Sequence, residues 1–359
     1  MAKIAMVVLL GLPTLCFAQS YDISLLGGGE TRFRPQRIGP GGQIAGRANV
    51  GFGLQQAAVW DDGSVSILDA PSSWAFDLNS QGLAVGSLSL VGSGDQATVW
   101  TSARYSLGVS GWARAINEND VIVGMTWSPV NGHSMPTRWT PSGGDWVMES
   151  LSAGGHVGGA WDIAENGTIV GVASTSEWPY SPLPAVWANG NLTWLDTLGS
   201  DVGVALRVNE VGGSAGWVES PTLGYGFSRA FQWQNSAATD LGVFGTDESS
   251  AALAINNHGD VVGWSGEGYG AGDGTSIDQR ATLWSNGAAM DLNSLIPPGS
   301  GWHLSVATDI DDNGRICGRG FYNGILNGFV LTPVPEPSTL LLVVTAIGLL
   351  RSRRRTRQW

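Results

Sequence analysis

The chain has 359 residues, carries 53 Gly, 16 Pro and 17 Trp, and is only 13% charged where about 25% is usual. That glycine load, with 43% hydrophobic residues, excludes a disordered tail and a helical bundle and suits many short strands joined by tight turns. The only Lys is Lys3, and residues 19–333 hold 12 Arg against 29 acids, net −17, which excludes nucleic-acid binding through displaced counterions, Walker-type phosphate binding and Schiff-base chemistry.

In chain order, residues 1–18 predict a secretory leader, with Lys3 as its positive region, residues 4–12 as its apolar core and a small-residue cleavage site ending at Ala18. Signal peptidase is therefore an expected partner, and Gln19 the first residue of the mature chain. Cys16 falls inside the leader and leaves Cys317 alone, so packing rather than an intramolecular disulfide must hold the body together.

A nine-residue pattern then recurs at 38–46, 78–86, 116–124, 163–171, 208–216, 255–263 and 310–318. It opens on an apolar residue and closes on Gly. Its fifth residue is Gly42, Gly82, Gly167, Gly212, Gly259 or Gly314, replaced once by Asp120. The spacing predicts a hairpin whose turn needs φ > 0 at the fifth position. Asn79, Asn117, Asn209, Asn256 and Asp311, at the second position, are placed to accept from turn amides. Gly39 and Ala164 depart from that preference.

An apolar run ending in Trp follows each hairpin except the last, at Trp60, Trp100, Trp139, Trp187, Trp233 and Trp284, with Phe329 in the seventh place. These rings are expected to pack between repeats, where one Trp buries roughly 150 to 250 Å², about 4 to 6 kcal/mol. A further strand follows, as at 239–242 and 290–292, so four strands per repeat are predicted. Closing glycines 38 to 55 residues apart fall in the range of propeller blades. Residues 21–27 look like the fourth strand of a repeat with no Trp strand before them, and the seventh copy lacks a fourth strand. The expectation is an all-β, seven-bladed β-propeller over residues 19–333, closed by its N-terminal strand.

The chain ends with Pro335, Glu336 and Pro337, an apolar stretch to Leu350, and Arg351, Arg353, Arg354, Arg355 and Arg357. Residues 338–350 predict about 20 Å of helix, short of a roughly 30 Å hydrocarbon core, so arginine snorkelling and local thinning must cover the gap. The arginines should stay cytoplasmic and the body lie outside.

Residues 334–357 resemble the PEP-CTERM sorting signal of Gram-negative bacteria. The resemblance implies a single transmembrane helix within 334–359 and an exosortase that cuts near Pro335-Glu336-Pro337, with the body inner-membrane anchored before processing and at the cell surface or extracellular afterwards. The repeats over 21–333 resemble the HAF repeats of bacterial extracellular proteins, most closely at 229–233, 240–242 and 254–263, although Arg229 stands where the naming His would be. That resemblance implies an extracellular propeller-like protein and assigns no site residues.

Candidate chemistry is sparse. Residues 212–216 fit the Gly-x-Ser-x-Gly elbow around Ser214, but lie in a hairpin rather than a strand-to-helix turn. Asp309, Asp311 and Asn313 match the first half of a calcium loop whose twelfth position is Gly320 rather than Glu, and Asp273 and Asp278 add a second sparse oxygen cluster. His133, His156, His258 and His303 have no zinc spacing, and no metal or cofactor is expected. Residues 266–271 match the dinucleotide fingerprint only as a string. Trp127, Trp178, Trp217, Trp264 and Trp302 fall outside the repeat register and are the candidates for stacking on sugar rings, against core packing as the alternative.

The expected function is an exported, exosortase-processed binding or structural module meeting extracellular polysaccharide, with no catalytic residues and no enzymatic activity. The alternatives are a glycan-cleaving propeller using a carboxylate pair, and a purely structural spacer.

Overall fold

The computed structural model describes residues 20–335, apart from 29–30, 50–53, 70, 93, 129–131, 155–156, 175–180, 221–225 and 268–275. The leader, the apolar C-terminal stretch and its arginines therefore lie outside the described residues, within which no helix is long and apolar enough to cross a membrane.

A short strand β1 (Tyr21–Gly28) precedes the first repeat, which forms β2 (Thr31–Ile38), β3 (Ile44–Asn49), β4 (Gln55–Asp61) and β5 (Ser64–Ile67). The second supplies β6 (Ser73–Leu78), β7 (Ala84–Leu90), β8 (Gly94–Trp100) and the start of β9 (Arg104–Ile116). The third uses the end of β9 with β10 (Ile122–Trp127), β11 (Ser134–Ser142) and β12 (Asp145–Ser150). The fourth is β13 (Gly158–Ile163), β14 (Ile169–Ser174), β15 (Pro182–Ala188) and β16 (Asn191–Trp194). The fifth is β17 (Gly203–Val208), β18 (Gly213–Glu219), β19 (Ser228–Gln234) and β20 (Ala237–Gly242). The sixth is β21 (Ser249–Ile255), β22 (Val261–Gly266), β23 (Gln279–Ser285) and β24 (Ala288–Asp291), and the seventh β25 (Trp302–Ile310), β26 (Ile316–Tyr322) and β27 (Ile325–Pro333).

Every pairing is antiparallel between chain neighbours, with one exception. β1 pairs with β27, Tyr21 opposite Pro333 through Leu26 opposite Gly328. The first strand thus completes the seventh repeat's sheet, then continues into the first repeat through Gly27 and Gly28 opposite Arg32 and Thr31. In the second and third repeats one strand, β9, serves both as the outer strand of one sheet and the inner strand of the next.

The repeat's two glycines have different causes. Those at the fifth position hold φ between +74° and +85°, and Asp120, in the same place, holds +58°. The second-position side chains cap these turns, Asn117 Oδ1 accepting from the amides of Asn119 (3.1 Å) and Val121 (3.0 Å). Where Ala164 offers no such oxygen, Asn166 accepts from Thr168 N at 2.9 Å.

The closing glycines sit in mid-strand, not in a turn. Each inner strand carries a β-bulge opposite its closing Gly, as at Ala160/Asp162 and Ala205/Arg207. The bulge pushes a carbonyl inward, so a Cβ on Gly86, Gly124, Gly171, Gly216, Gly263 or Gly318 would fall under 3.0 Å from the oxygen of Trp74, Trp112, Gly159, Val204, Ala251 or Val306. Glycine closes the pattern because the partner backbone occupies the side-chain position.

The six Trp of the repeat are all buried on the third strands, with Phe329 fully buried in the seventh place. Each anchors a separate apolar cluster formed where neighbouring repeats meet; Trp139, for example, packs with Val85, Val99 and Ile116 of the second and third repeats. One strand is shorter than expected: Leu292 leaves β24 and begins a 3-10 turn, because the Asp291 carboxylate accepts from Asn293 N and caps it.

Candidate functional site

The seven hairpin turns gather at one end of the inner strands around a cavity of about 430 Å³. Their third residues are Pro40, Ser80, Glu118, Glu165, Glu210, Asn257 and Asp312, and these join hand to hand. The amide of Ser80 donates to Glu118 (2.8 Å), that of Glu118 to Glu165 (3.0 Å) and that of Glu165 to Glu210 (3.0 Å). Glu210 N donates to Asn257 (2.8 Å) and Asn257 N to Asp312 (2.8 Å). Pro40 has neither an amide hydrogen nor a side-chain acceptor, so the chain stops there. At that gap Arg315 Nη2 donates to Gly42 O at 2.8 Å, linking the seventh turn to the first.

A parallel set of bonds runs from the second position. Asn79 donates to Asn117 O, Asn117 to Ala164 O, Asn209 to Asn256 O and Asn256 to Asp311 O. The mouth is thus rigid and acceptor-rich. Burial, with Glu210 and Glu118 adding like charge, raises the Glu165 carboxyl above the usual carboxylate range.

Beneath the mouth the axis is filled with buried charge. Arg37 Nε lies 3.2 Å from Asp77, and Arg37 Nη1 bonds Asp162 of the fourth repeat. Arg207 Nε lies 3.9 Å from Asp309. Each carboxylate also ties its repeat to the next: Asp77 accepts from Ile116 N (3.0 Å), Asp162 from Val208 N (2.9 Å) and Asp309 from Ile38 N (2.7 Å). Burial raises the Asp77 carboxyl to about 6 despite Arg37 beside it, and burial raises that of Asp309 as well. Deeper still, the Arg114 guanidinium lies over Phe76, Trp112 and Trp161, its carbon 4.3 to 4.5 Å from their centroids. The mouth is therefore a cup with a charged floor.

Few of the candidates read from sequence meet here. Asp309 is committed to Ile38 N and Arg207, and Asp311 to the amides of Asn313 (2.9 Å) and Arg315 (2.8 Å), so the three calcium-loop oxygens do not converge. Among the described residues no group of acids, His or Cys is arranged to hold a metal. Ser214 is buried on β18 between two strands, away from any strand-to-helix turn.

The stacking candidates scatter over four repeats. Trp264 is 3% exposed in a core cluster that also takes Trp217, so its ring is closed to ligands. Trp127 packs edge-on against Trp112, and Trp302 against Tyr322 and Phe329. Trp178, Asp273, His156, Glu336, Pro337 and the C-terminal arginines lie outside the described residues; Pro335 is exposed at the end of the chain's described part.

Sequence reasoning missed the axial charges, and read Asp309 as a calcium-loop oxygen instead; their signal was the residue just before each repeat: Arg37, Asp77, Asp162, Arg207 and Asp309, with Ala115 and Ala254 between. It also missed Trp74, which is 38% exposed.

No protein-family profile matches the sequence, and neither does any curated protein. Among solved structures, the chain is similar to the β-propeller domain of the Trilobed protease from Pyrococcus furiosus, described as having an open velcro topology. The TM-score is 0.59 at 8% identity over 86% of this chain and 99% of that one. It is also similar to the Pyrococcus horikoshii acylaminoacyl peptidase in two structures, an orthorhombic crystal form and an uncomplexed one. Their TM-scores are 0.56 and 0.53 at 11% and 13% identity, over 87% of this chain and 53% and 54% of theirs. The protein is thus an all-β chain with a β-propeller fold, spanning about half the length of those peptidases.

These likenesses establish the fold alone. They overturn one expectation: propellers of this shape form domains of a protease and of acylaminoacyl peptidases, so the lack of a catalytic motif is no ground for holding that the chain is not an enzyme.

Proposed function

We propose that the protein is an exported, seven-bladed propeller closed by its own N-terminal strand, delivered by the leader and the PEP-CTERM-like tail and acting outside the inner membrane as a binding module. The seven repeats and the pairing of β1 with β27 support the ring. The ligand enters the acceptor-rich cup at the hairpin end.

One observation carries this reading: five third-position side chains from five consecutive repeats bond in sequence around a cavity of about 430 Å³. Carboxylates accept only, and each keeps lone pairs after one amide bond, so the cup suits a ligand rich in hydroxyl donors. A neutral polysaccharide chain end has that chemistry and a suitable size.

Affinity electrophoresis of the full chain in gels containing neutral polysaccharides tests it. The chain should be retarded, and Glu118→Gln/Glu165→Gln/Glu210→Gln should restore most of its mobility. Equal retardation of the triple variant would remove the cup from the proposal. Reducing-end release in the same mixtures would mark the cup as a site of cleavage as well as binding.

A further inference from the structure

Toward the other end of the inner strands, three arginines converge. Arg34 on β2 and Arg47 on β3 are direct register partners. Arg319 on β26 stands opposite Gly328 on β27, and Gly328 lies so close to the carbonyl of Phe33, the neighbour of Arg34, that no Cβ fits between them. Arg34 and Arg47 lie about four residues from the hairpin turns, roughly 13 Å at 3.3 Å per residue, so this is a place apart from the cup.

Arg47 differs from the arginines that face an acid. Arg37 faces Asp77 and Asp162, Arg207 faces Asp309, Arg280 faces Asp247, and Arg114 is enclosed by aromatic rings. Arg47 is 8% exposed, its Nε has no hydrogen-bond partner, and among the described residues neither it nor Arg34 forms an ion pair. Burial and the like charges of Arg34 and Arg319 push the Arg47 guanidinium down to about 10. Like charges placed directly across a strand pair are destabilising, and a buried charge is normally paired.

The guanidinium carbon of Arg47 lies 3.8 Å from the centroid of the Trp74 ring. Stacking fixes the plane of the fork, and a fork held in one plane is the geometry that receives two oxygens of a planar oxyanion. The remainder of the Trp74 indole is exposed beside it, an apolar face next to a charge, matched by the C–H face of a sugar ring carrying a carboxylate.

We propose that Arg34 and Arg47, with Trp74, form a second ligand site that takes the carboxylate of an acidic sugar, in the positive field to which Arg319 adds. It does not depend on what the cup binds.

Calorimetric titration of the full chain with oligogalacturonate and oligomannuronate, with the methyl-esterified galacturonate oligomer and with inorganic sulfate, tests this. At least one acidic oligomer should bind, its ester at least tenfold more weakly, and the affinity should fall with added salt. Arg47→Met should lower that affinity at least tenfold while leaving the urea midpoint unchanged or higher, since it removes an uncompensated buried charge. Arg34→Gln, at a half-exposed position, should lower it at least threefold, and Trp74→Leu likewise.

The proposal is overturned if neither acidic oligomer binds at low salt, if the ester binds as tightly as the acid, or if Arg47→Met and Arg34→Gln both bind as the parent does. Sulfate binding as tightly as the oligomers would overturn the sugar. A large fall in the urea midpoint of Arg47→Met, with Arg34→Gln binding unchanged, would make the cluster structural.

Discussion

Arg37 reaches across the axis to bond Asp162, 125 residues further along the chain, while its Nε engages Asp77 of the adjacent repeat. One guanidinium from the first repeat therefore fastens the second and the fourth. Removing one partner of a buried pair leaves charge without compensation, which costs about 3 to 5 kcal/mol, whereas neutralising the set together costs little. Arg37→Met should lower stability in urea by that amount. Adding Asp77→Asn and Asp162→Asn should recover most of it, because each amide oxygen can still accept from Ile116 N or Val208 N. A loss under about 1 kcal/mol for the single variant would show that the strut carries no load.

The same network sets a pH dependence. Asp77 titrates near 6 in the fold, above the 3.8 of a free carboxyl, so as pH falls the native state takes up this proton before the unfolded chain does. Stability should rise as pH is lowered from 7 through 6 toward 4, and the contribution is lost again as pH rises through about 6. Its size is at most about 3 kcal/mol across that window. Relief of repulsion in a chain of net charge −12 acts in the same direction, so the readout is a difference. Asp77→Asn should flatten the urea-midpoint profile between pH 4 and 7 relative to the parent, and an unchanged slope would reassign the proton uptake.

The repeat was legible because each of its fixed positions answers a local demand. Gly42 and its counterparts turn the chain at positive φ, Asn117 and its counterparts bond the turn amides, and Trp139 and its counterparts fill the space between neighbours. The spare strand at Tyr21 was legible by counting, and it pairs where the count put it. The site was not legible, because it is made by juxtaposing one residue from each of several repeats. Glu118, Glu165 and Glu210 look like three solvated acids at turn tips, and only the closing of the turns around one axis makes them neighbours. Arg37 and Asp162 have no sequence relation until the axis brings them together. Trp264 was not legible as a core residue for the converse reason: it follows a closing Gly, and that position faces the next repeat.

The closing glycines predict a contrast between two kinds of Gly→Ala change. At Gly124 a Cβ would fall under 3.0 Å from the Trp112 carbonyl oxygen and 3.1 Å from Arg114 N, both backbone, so the bulge itself must move. Gly124→Ala should cost about 3 kcal/mol or more. At Gly82 nothing lies within 4 Å, and the only penalty is φ of +79°. Gly82→Ala should cost about 1 to 2 kcal/mol. Urea denaturation of both variants checks the order, and equal costs would mean that the bulge relaxes freely.

The pairing of β1 with β27 makes the sharpest demand on the fold. Six consecutive register pairs join Tyr21–Leu26 to Gly328–Pro333, and Tyr21 and Leu26 are both fully buried against residues of the seventh and first repeats. Tyr21 is further held by its amide, which donates to Leu295 O at 2.9 Å. Deleting residues 20–28 would expose those apolar faces and open an edge along β27, at a cost of about 5 kcal/mol in buried area alone. The deleted chain should melt at least about 10 °C lower and self-associate through the open edge, as size-exclusion chromatography would show. A synthetic peptide of residues 20–28 added in trans should raise the melting point and suppress association, because strand addition at an open edge needs only matching backbone and side-chain pockets. If the deleted chain stays monomeric and melts within 2 °C or so of the parent, the N-terminal strand is an ornament on a fold that does not need it.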